Sequence, residues 1–356
     1  MKKWCIGLVG CGSIAGAHYI PEINSFPNAK VIALCDIIPH RAKIWSERFG
    51  ISESYEDIDG MLSKSNFDIL VNTASIQSHF KIDLKALKAG KHLYSQKPFA
   101  TTVKEATILI EEAKRRNLKM SISPIHMLRP EIKEAKRLIK NNTIGKIAFV
   151  KCSSSHGGPE YFQYRDVDPS WFYEPGAGPM FDLGVHGLTQ VTGLLGPVKS
   201  VQALSGISEK IRTTRSGVFD GKKIVPKVDD LTLVMLDFGN ATFGFVDCSY
   251  CVKASNKGSD LEIFGSGGTL VIREDVNNRL QLYLDNFETN VRGWMSPIVQ
   301  WPEFKQSYGV KDLIEAIEQN REPLLSAKHA RHVIEIMNKC YVAVKEKRSI
   351  KIETIF

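Results

Sequence analysis

A few short runs hold residue types whose spacing could do chemistry. Gly10-Cys11-Gly12-Ser13-Ile14-Ala15 fits G-x-G-x-x-A and directly follows the apolar run Cys5–Val9. In such a turn Gly10 permits the tight bend, Gly12 lets the backbone approach a pyrophosphate, and Ala15 lets the next helix pack on a sheet. The amides at that helix start, from Ser13 and Ile14, would hold the phosphates. Asp36 closes the second apolar run, Val31–Cys35, where a carboxylate can accept both hydroxyls of a ribose. Fingerprint, strand and acid together specify a dinucleotide. Asp36 repels a 2′-phosphate, and Ile37 follows it in place of an arginine or serine, which favours NAD; Arg41 lies near enough to leave NADP open.

Two further runs carry proton chemistry. Tyr94-Ser95-Gln96-Lys97-Pro98-Phe99 ends a strand-like segment, and a lysine at that sheet edge can donate to a substrate oxygen and polarise it. In Pro179-Met180-Phe181-Asp182-Leu183-Gly184-Val185-His186 the spacing of four puts Asp182 and His186 on one helix face, so the carboxylate can orient or charge the imidazole. Taken alone, Lys97 also fits an ordinary surface lysine, and Asp182 and His186 also fit a helix cap and a satisfied core histidine. Cys248 and Cys251 form one C-x-x-C, but in a β-like run residues three apart point to opposite faces, and no second pair completes a metal set. No metal is expected.

The elements that must position these groups follow from periodicity. Over residues 4–123, short apolar runs (Cys5–Val9, Val31–Cys35, Ile69–Asn72, His92–Tyr94, Met120–Ile122) alternate with helical patterns at 40–49, 78–89 and 102–116, which implies a parallel sheet covered on both faces. Thr102-Val103-Lys104-Glu105 reads as a capping box. Pro21 predicts a short or kinked first helix. After about residue 125 strand-like runs dominate (Ile147–Ser153, Val198–Leu204, Leu231–Phe238, Ala241–Tyr250, Leu261–Phe264, Thr269–Ile272), with helical patterns at 130–140, 307–319 and 327–346. Long connections at 154–178 and 206–227 are of a length that is more often functional than idle. The expected architecture is an α/β Rossmann domain over 1–125, then an α+β domain over 126–356 built on a mostly antiparallel sheet. The cleft between two such domains is the natural place for a ligand.

With these residues in order, the sequence resembles the glucose–fructose oxidoreductase / inositol dehydrogenase (Gfo/Idh/MocA) family essentially from end to end. The resemblance is carried by Gly7–Ala15, Leu34–Asp36, Leu70–Ala74, Ala86–Pro98, Ile144-Gly145-Lys146-Ile147, Asp168–His186 and Gly193–Ala203. It implies a large open sheet in the second domain, homodimers or homotetramers formed through that sheet, and interconversion of alcohols and ketones on sugars, inositols or related molecules with NAD(P). Lys97, Asp182 and His186 fall on the family's catalytic lysine, aspartate and histidine. The expected cofactor-binding set is Gly10, Gly12, Ser13, Ile14, Asp36, Arg41, Thr73, Ala74, Ser75, His79, Gln96 and Lys97. The sequence departs from the family at Gln96, where glutamate is usual, at Thr73-Ala74-Ser75, which lacks the frequent proline, and at Ile125–Pro130, a loose match. The family's Lys-Pro bond is often cis. Substrate candidates are His126, Tyr161, Arg165 and Trp171; aromatic rings and a guanidinium suit a sugar face, and surface packing explains them equally well.

Composition narrows the field. The chain has 356 residues, 43% hydrophobic and 24% charged, enough to build a core without staples. Its net charge of +8 is spread over solvated helix-like faces with no nucleic-acid module, so no nucleic-acid partner is expected. No run approaches the ~20 apolar residues of a membrane span. Seven scattered cysteines suit a reducing compartment, hence a cytoplasmic location. The leading expectation is an NAD(P)-dependent dehydrogenase on a sugar, glycoside or cyclitol. The alternatives are a redox-assisted glycosidase that cycles NAD without net consumption, and a non-catalytic NAD(P)-binding sensor.

Overall fold

A computed structural model describes residues 2–161, 168–215, 217–254, 261–273, 279–286, 290–297, 299 and 304–356. The chain divides into two compact units, Met1–Leu128 with Pro302–Ile334, and Arg129–Trp301 with Glu335–Phe356.

In the first unit six parallel strands, β1 (Trp4–Val9), β2 (Ala29–Cys35), β3 (Glu53–Tyr55), β4 (Ile69–Asn72), β5 (His92–Ser95) and β6 (Met120–Ile122), stand in the order β3-β2-β1-β4-β5-β6. The strand order reverses between β1 and β4, and in open α/β sheets ligands bind beyond the carboxyl ends of strands at such a switch point. Strands β1, β2 and β4 are buried almost throughout, as a sheet covered on both faces requires. The helices are α1 (Ile20–Asn24), α2 (Arg41–Phe49), α3 (Ile58–Lys64), α4 (His79–Lys88) and α5 (Val103–Arg115). The capping box forms at α5: Thr102 Oγ1 accepts the Glu105 amide at 3.2 Å and Glu105 Oε2 accepts the Thr102 amide at 3.2 Å. The first helix is short, as Pro21 predicts, and begins with a π-helical turn at Ala15–Tyr19.

The second unit is built on a nine-stranded sheet in the order β16-β15-β14-β13-β7-β12-β11-β8-β17. Its strands are β7 (Ile147–Ser155), β8 (Ser200–Gly206), β11 (Leu231–Gly239), β12 (Thr242–Ser249), β13 (Leu261–Gly265), β14 (Gly268–Ile272), β15 (Leu280–Asn286), β16 (Val291–Met295) and β17 (Ile350–Lys351); β9 (Arg212–Thr213) and β10 (Lys223–Ile224) form a separate hairpin. Among the described residues of this sheet only β7 and β12 pair in parallel. Strand alternation buries Val150, Cys152 and Ser154 of β7, the strand on which α7 (Val185–Leu195) packs, while α6 (Pro130–Lys140) packs on α7 and β14. Phe149, Leu204, Met235 and Phe243 are exposed on the opposite face of this sheet. The sequence patterns missed β3, β9, β10, β15, β16 and β17; β3, β9, β10 and β17 are two or three residues long and β16 is mostly exposed, so none of these five shows a clear apolar alternation.

The expected division at 125/126 does not follow the segment 302–334, which belongs to the first unit. There α8 (Tyr308–Glu318) packs on β5 and β6: Gly309 approaches the Tyr94 ring so closely that a Cβ would lie 2.3 Å from it, and the Ser121 hydroxyl donates to the Gly309 carbonyl at 3.2 Å. Ile122 continues the attachment by donating its amide to the Leu325 carbonyl at 3.0 Å. The last long helix, α9 (Ala327–Glu346), carries the boundary between units. Among the described residues no helix is long and apolar enough to cross a membrane.

Candidate active site

The glycine turn sits at the switch point. Gly10 adopts φ +90°, and a Cβ there would lie 2.5 Å from the Ala74 amide nitrogen, so both backbone and space demand glycine. Gly12 differs: a Cβ would meet nothing within 4 Å, which leaves its backbone open to a ligand. Ser13 is exposed and Ile14 half-buried at the start of the helix. Thr73 ties the two strand ends together by donating its hydroxyl to the Gly10 carbonyl at 2.7 Å. Trp45, from α2, donates its indole N–H to the Cys11 carbonyl at 2.9 Å and lies where a side chain on Gly16 would be, 2.2 Å from a Cβ.

Asp36 is buried at the end of β2, accepting the Cys11 amide at Oδ2 and the Ile38 amide at Oδ1, each at 2.8 Å. Arg41 approaches the same carboxylate at 3.8 Å. Each carboxylate oxygen has two acceptor sites, so both retain capacity for a ribose hydroxyl. These groups fit a dinucleotide: Gly12 and the amides after it would cradle the pyrophosphate, and Asp36 would take the ribose. Burial pushes the Cys11 and Cys35 thiols up to about 12, which keeps them protonated beside this site.

The remaining candidates of the first unit divide into exposed and internal groups. Ser75 is exposed and shares a 3.1 Å contact with the Ser78 hydroxyl, while Ala74 donates its amide to Asn72 Oδ1 at 3.1 Å. His79 is buried, its ring nitrogens facing the carbonyls of Pro98 at 2.8 Å and Ala74 at 3.0 Å, so it joins the β4 and β5 loops. Burial lowers its pKa. Gln96 is likewise turned inward, donating Nε2 to the Tyr19 hydroxyl and accepting the Lys97 amide at 3.2 Å. Tyr19 in turn meets the Tyr94 hydroxyl at 3.1 Å. Lys97 is half-buried at the end of β5, and the Lys97-Pro98 bond is cis. Behind them Asn72 donates to Asp83 at 2.7 Å, and burial pushes the Asp83 carboxyl up to about 7.

In the second unit Asp182 and His186 lie on one continuous helical run, a π-helical turn at Met180–Gly184 leading into α7. A π turn disturbs the regular ladder, and here a sheet serine repairs it: Ser154 donates its hydroxyl to the Leu183 carbonyl at 2.6 Å and accepts the Gly187 amide at 3.1 Å. The helix can approach because Gly184 and Gly187 face the sheet; Cβ atoms there would lie 2.8 Å from Cys248 Sγ and 3.0 Å from Cys152 and Ser154. The run thereby presents Asp182 buried and His186 half-exposed. Tyr250 donates its hydroxyl to Asp182 Oδ2 at 3.1 Å.

Of the substrate candidates, Trp171 is partly buried and stacks on Phe172 at 3.8 Å, against the cluster of Phe172, Tyr173, Ile224 and Tyr250. Tyr250 therefore links Asp182 to the cluster on which Trp171 lies. Asp168 anchors that segment through Ser170 and Lys222, whose hydrogen bond holds its carboxyl down at about 2. Tyr161 lies under the Arg215 guanidinium at 4.8 Å. His126, in the first unit, is buried in the turn Ile125–Leu128. Arg165 lies outside the described residues. Among the described residues no cluster of three or more His, Cys, Asp or Glu is placed to hold a metal ion. Sequence reasoning missed Trp45, Ser154 and Tyr250; each acts on backbone or side chain far away in the chain, and none sits in a motif.

Residues 5–123 match the model of an oxidoreductase family with an NAD-binding Rossmann fold, and residues 132–271 match the GFO/IDH/MocA C-terminal domain. The chain belongs to the Gfo/Idh/MocA family. Like other Gfo/Idh/MocA proteins it is an NAD-binding oxidoreductase. Among curated family relatives, levoglucosan dehydrogenase of Pseudarthrobacter phenanthrenivorans is 25% identical, the match covering 83% of this chain and 80% of that protein. Myo-inositol 2-dehydrogenase of Thermotoga maritima is 22% identical over 98% of this chain and 99% of its own. A solved structure of levoglucosan dehydrogenase in complex with NADH aligns with TM-score 0.85 at 19% identity, covering 99% of this chain and all 100% of that one, a likeness of fold.

Proposed function

We propose that this chain is a dehydrogenase that oxidises a secondary alcohol of a sugar, glycoside or cyclitol. The reading is carried by the helical run of the second unit, where a buried carboxylate held by a tyrosine hydroxyl is followed four residues later by a half-exposed histidine. The names of the curated relatives support the substrate class. NAD, when bound, supplies the carbon that accepts the hydride. His186 takes the hydroxyl proton as the alcohol is oxidised, and proton transfer by a positioned base contributes roughly 10²–10⁴-fold. Asp182 sets the imidazole's tautomer and basicity. Lys97 donates a hydrogen bond to the alcohol oxygen as negative charge develops on it. Trp171 offers an aromatic face of the kind that suits sugar C–H groups.

The test follows NADH absorbance and aglycone release together, with NAD and a panel of levoglucosan, myo-inositol, free aldoses and aryl glucosides. NADH growth with at least one of them is expected. Intact NADH binding with no NADH growth on any of them would overturn the proposal, and aglycone release without NADH growth would replace it with the NAD-cycling glycosidase.

A further inference from the structure

Behind Asp182 stands a set of buried polar side chains that the proposed reaction does not use. Tyr250, directly after β12, is 0% exposed and donates its hydroxyl to Asp182. Its ring is clasped on several sides. His156 stacks on it at 5.3 Å and 15°, and Tyr173 meets it edge-on at 5.4 Å. The backbone is fixed as well, because the Tyr250 carbonyl accepts Arg212 Nη1 at 3.0 Å. Arg212 is buried between Glu160 at 2.8 Å and Asp230 at 2.7 Å, with exposures of 1%, 6% and 0%. Tyr173 donates its hydroxyl to Glu160. His156 Nδ1 accepts the Gly158 amide at 2.9 Å, which places the proton of the neutral ring on Nε2.

Among the described residues, the titratable and charged groups that meet Tyr250 are therefore Asp182 from the π turn, His156 after β7, Tyr173 from the 3-10 turn Pro169–Tyr173, and Arg212 from β9. Glu160 and Asp230 stand behind Arg212, with Cys251 beside it at 3.6 Å. Removing one partner of a buried pair costs far more than an exposed pair is worth, so a triad this deep fixes its neighbours firmly.

We propose that Tyr250 is a positioning residue for the reaction: its hydroxyl orients the Asp182 carboxylate and stabilises its charge, and so sets the pH at which the Asp182–His186 pair takes up a proton. The Arg212–Glu160–Asp230 triad holds Tyr250 in register for that contact. The proposal rests on the roles assigned above to Asp182 and His186. Its sign is fixed by physics. A donor to the carboxylate favours the deprotonated pair, so losing it raises the apparent pKa of the pair whichever partner takes the proton.

Tyr250→Phe keeps the clasped ring and removes only the hydroxyl. In the full chain saturated with NAD and labelled with ¹⁵N-histidine, the His186 signal, identified by its loss in His186→Gln, should titrate about one pH unit higher in Tyr250→Phe than in the parent. An unchanged midpoint overturns the proposal. With levoglucosan or myo-inositol, the acid limb of kcat/KM should move in the same direction. In an Asp182→Asn background Tyr250→Phe should change kcat by less than about two-fold; a full additional loss there overturns the proposal by showing that Tyr250 acts elsewhere. If no member of the substrate panel is oxidised, the proposed function is what fails, and the histidine titration still decides the role of Tyr250.

Discussion

Each unit of this protein sets a candidate functional segment on a π-helical turn, and the backbones of the two turns are completed in different ways. At Ala15–Tyr19, where Trp45, Tyr94 and Gln96 meet the turn's side-chain face, the backbone is satisfied close in sequence: Ile20 donates its amide to Ala15, Pro21 lacks an amide of its own, and the Ala15 and Gly16 amides bond back to Gly12 at 3.1 and 3.3 Å. At Met180–Gly184 the support crosses from another element, with Ser154 of β7 bridging Leu183 and Gly187. In the proposed function the first turn backs the loop that would meet the cofactor through its backbone, and the second carries the side chains to which proton chemistry is assigned. A turn that presents backbone can be encoded by its own glycines and proline. A turn that must present two side chains at fixed angles draws on groups placed elsewhere in the fold.

The largest effects expected separate the two jobs. His186→Gln should lower kcat/KM by roughly 10²–10⁴-fold, the range of a positioned general base, while fluorescence titration shows NADH affinity within about two-fold of the parent. Gly12→Val should do the reverse. Its Cβ enters space that is open in the protein, so the thermal midpoint should hold, whereas NADH affinity should fall by at least about 100-fold as the side chain fills the pyrophosphate's place. Loss of NADH affinity in His186→Gln, or full affinity in Gly12→Val, would break the division of labour between the turns.

An intermediate effect tests the bridge. Ser154→Ala deletes a donor and an acceptor at once, leaving the Leu183 carbonyl and Gly187 amide short of a partner. We expect about 1–3 kcal/mol of lost stability by denaturant unfolding, together with a fall in kcat and unchanged NADH affinity. Unaltered kcat would mean that the π turn keeps Asp182 and His186 in place without the sheet.

The same contrast explains what could be read from the residues. The glycine turn and its acid can be read because their requirements are local: Gly10 must take φ +90° against the Ala74 backbone, and Asp36 must end the second strand. Lys97, Asp182 and His186 stand out as residue types at suggestive spacings. Their supports do not. Tyr250 reads as the last residue of an ordinary strand, Ser154 as one of three serines, and Arg212 as a charge in a long connection; burial alone turns them into partners. The side chains of His79 and Gln96, expected beside the cofactor, face backbone and Tyr19, and no pattern around residues 79 or 96 announces an inward direction. The segment 302–334 escaped because α8 is amphipathic in the same way whichever sheet it covers, and its choice of β5 and β6 rests on Gly309 admitting Tyr94.

The last effect expected, confined to the upper pH range, concerns how buried charge is handled behind each site. In the second unit Glu160 and Asp230 share Arg212, which, with amides from Ser208 and Glu209, outweighs burial and holds the Asp230 carboxyl below its ordinary range. In the first unit Asp83 has Asn72 as a neutral partner, and burial lifts it to about 7. The folded state therefore binds a proton between about pH 4 and pH 7 that the unfolded chain has released, so stability falls as pH rises through this window and levels off above it. Asp83→Asn removes the titration while still offering Asn72 an acceptor. The variant should match the parent in denaturant midpoint near pH 4.5 and exceed it by roughly 1–3 kcal/mol at pH 8. An equal pH dependence in both proteins would show that Asp83 stays ionised in the fold, and the two units would then differ in the source of their buried partners but no longer in how they respond to pH.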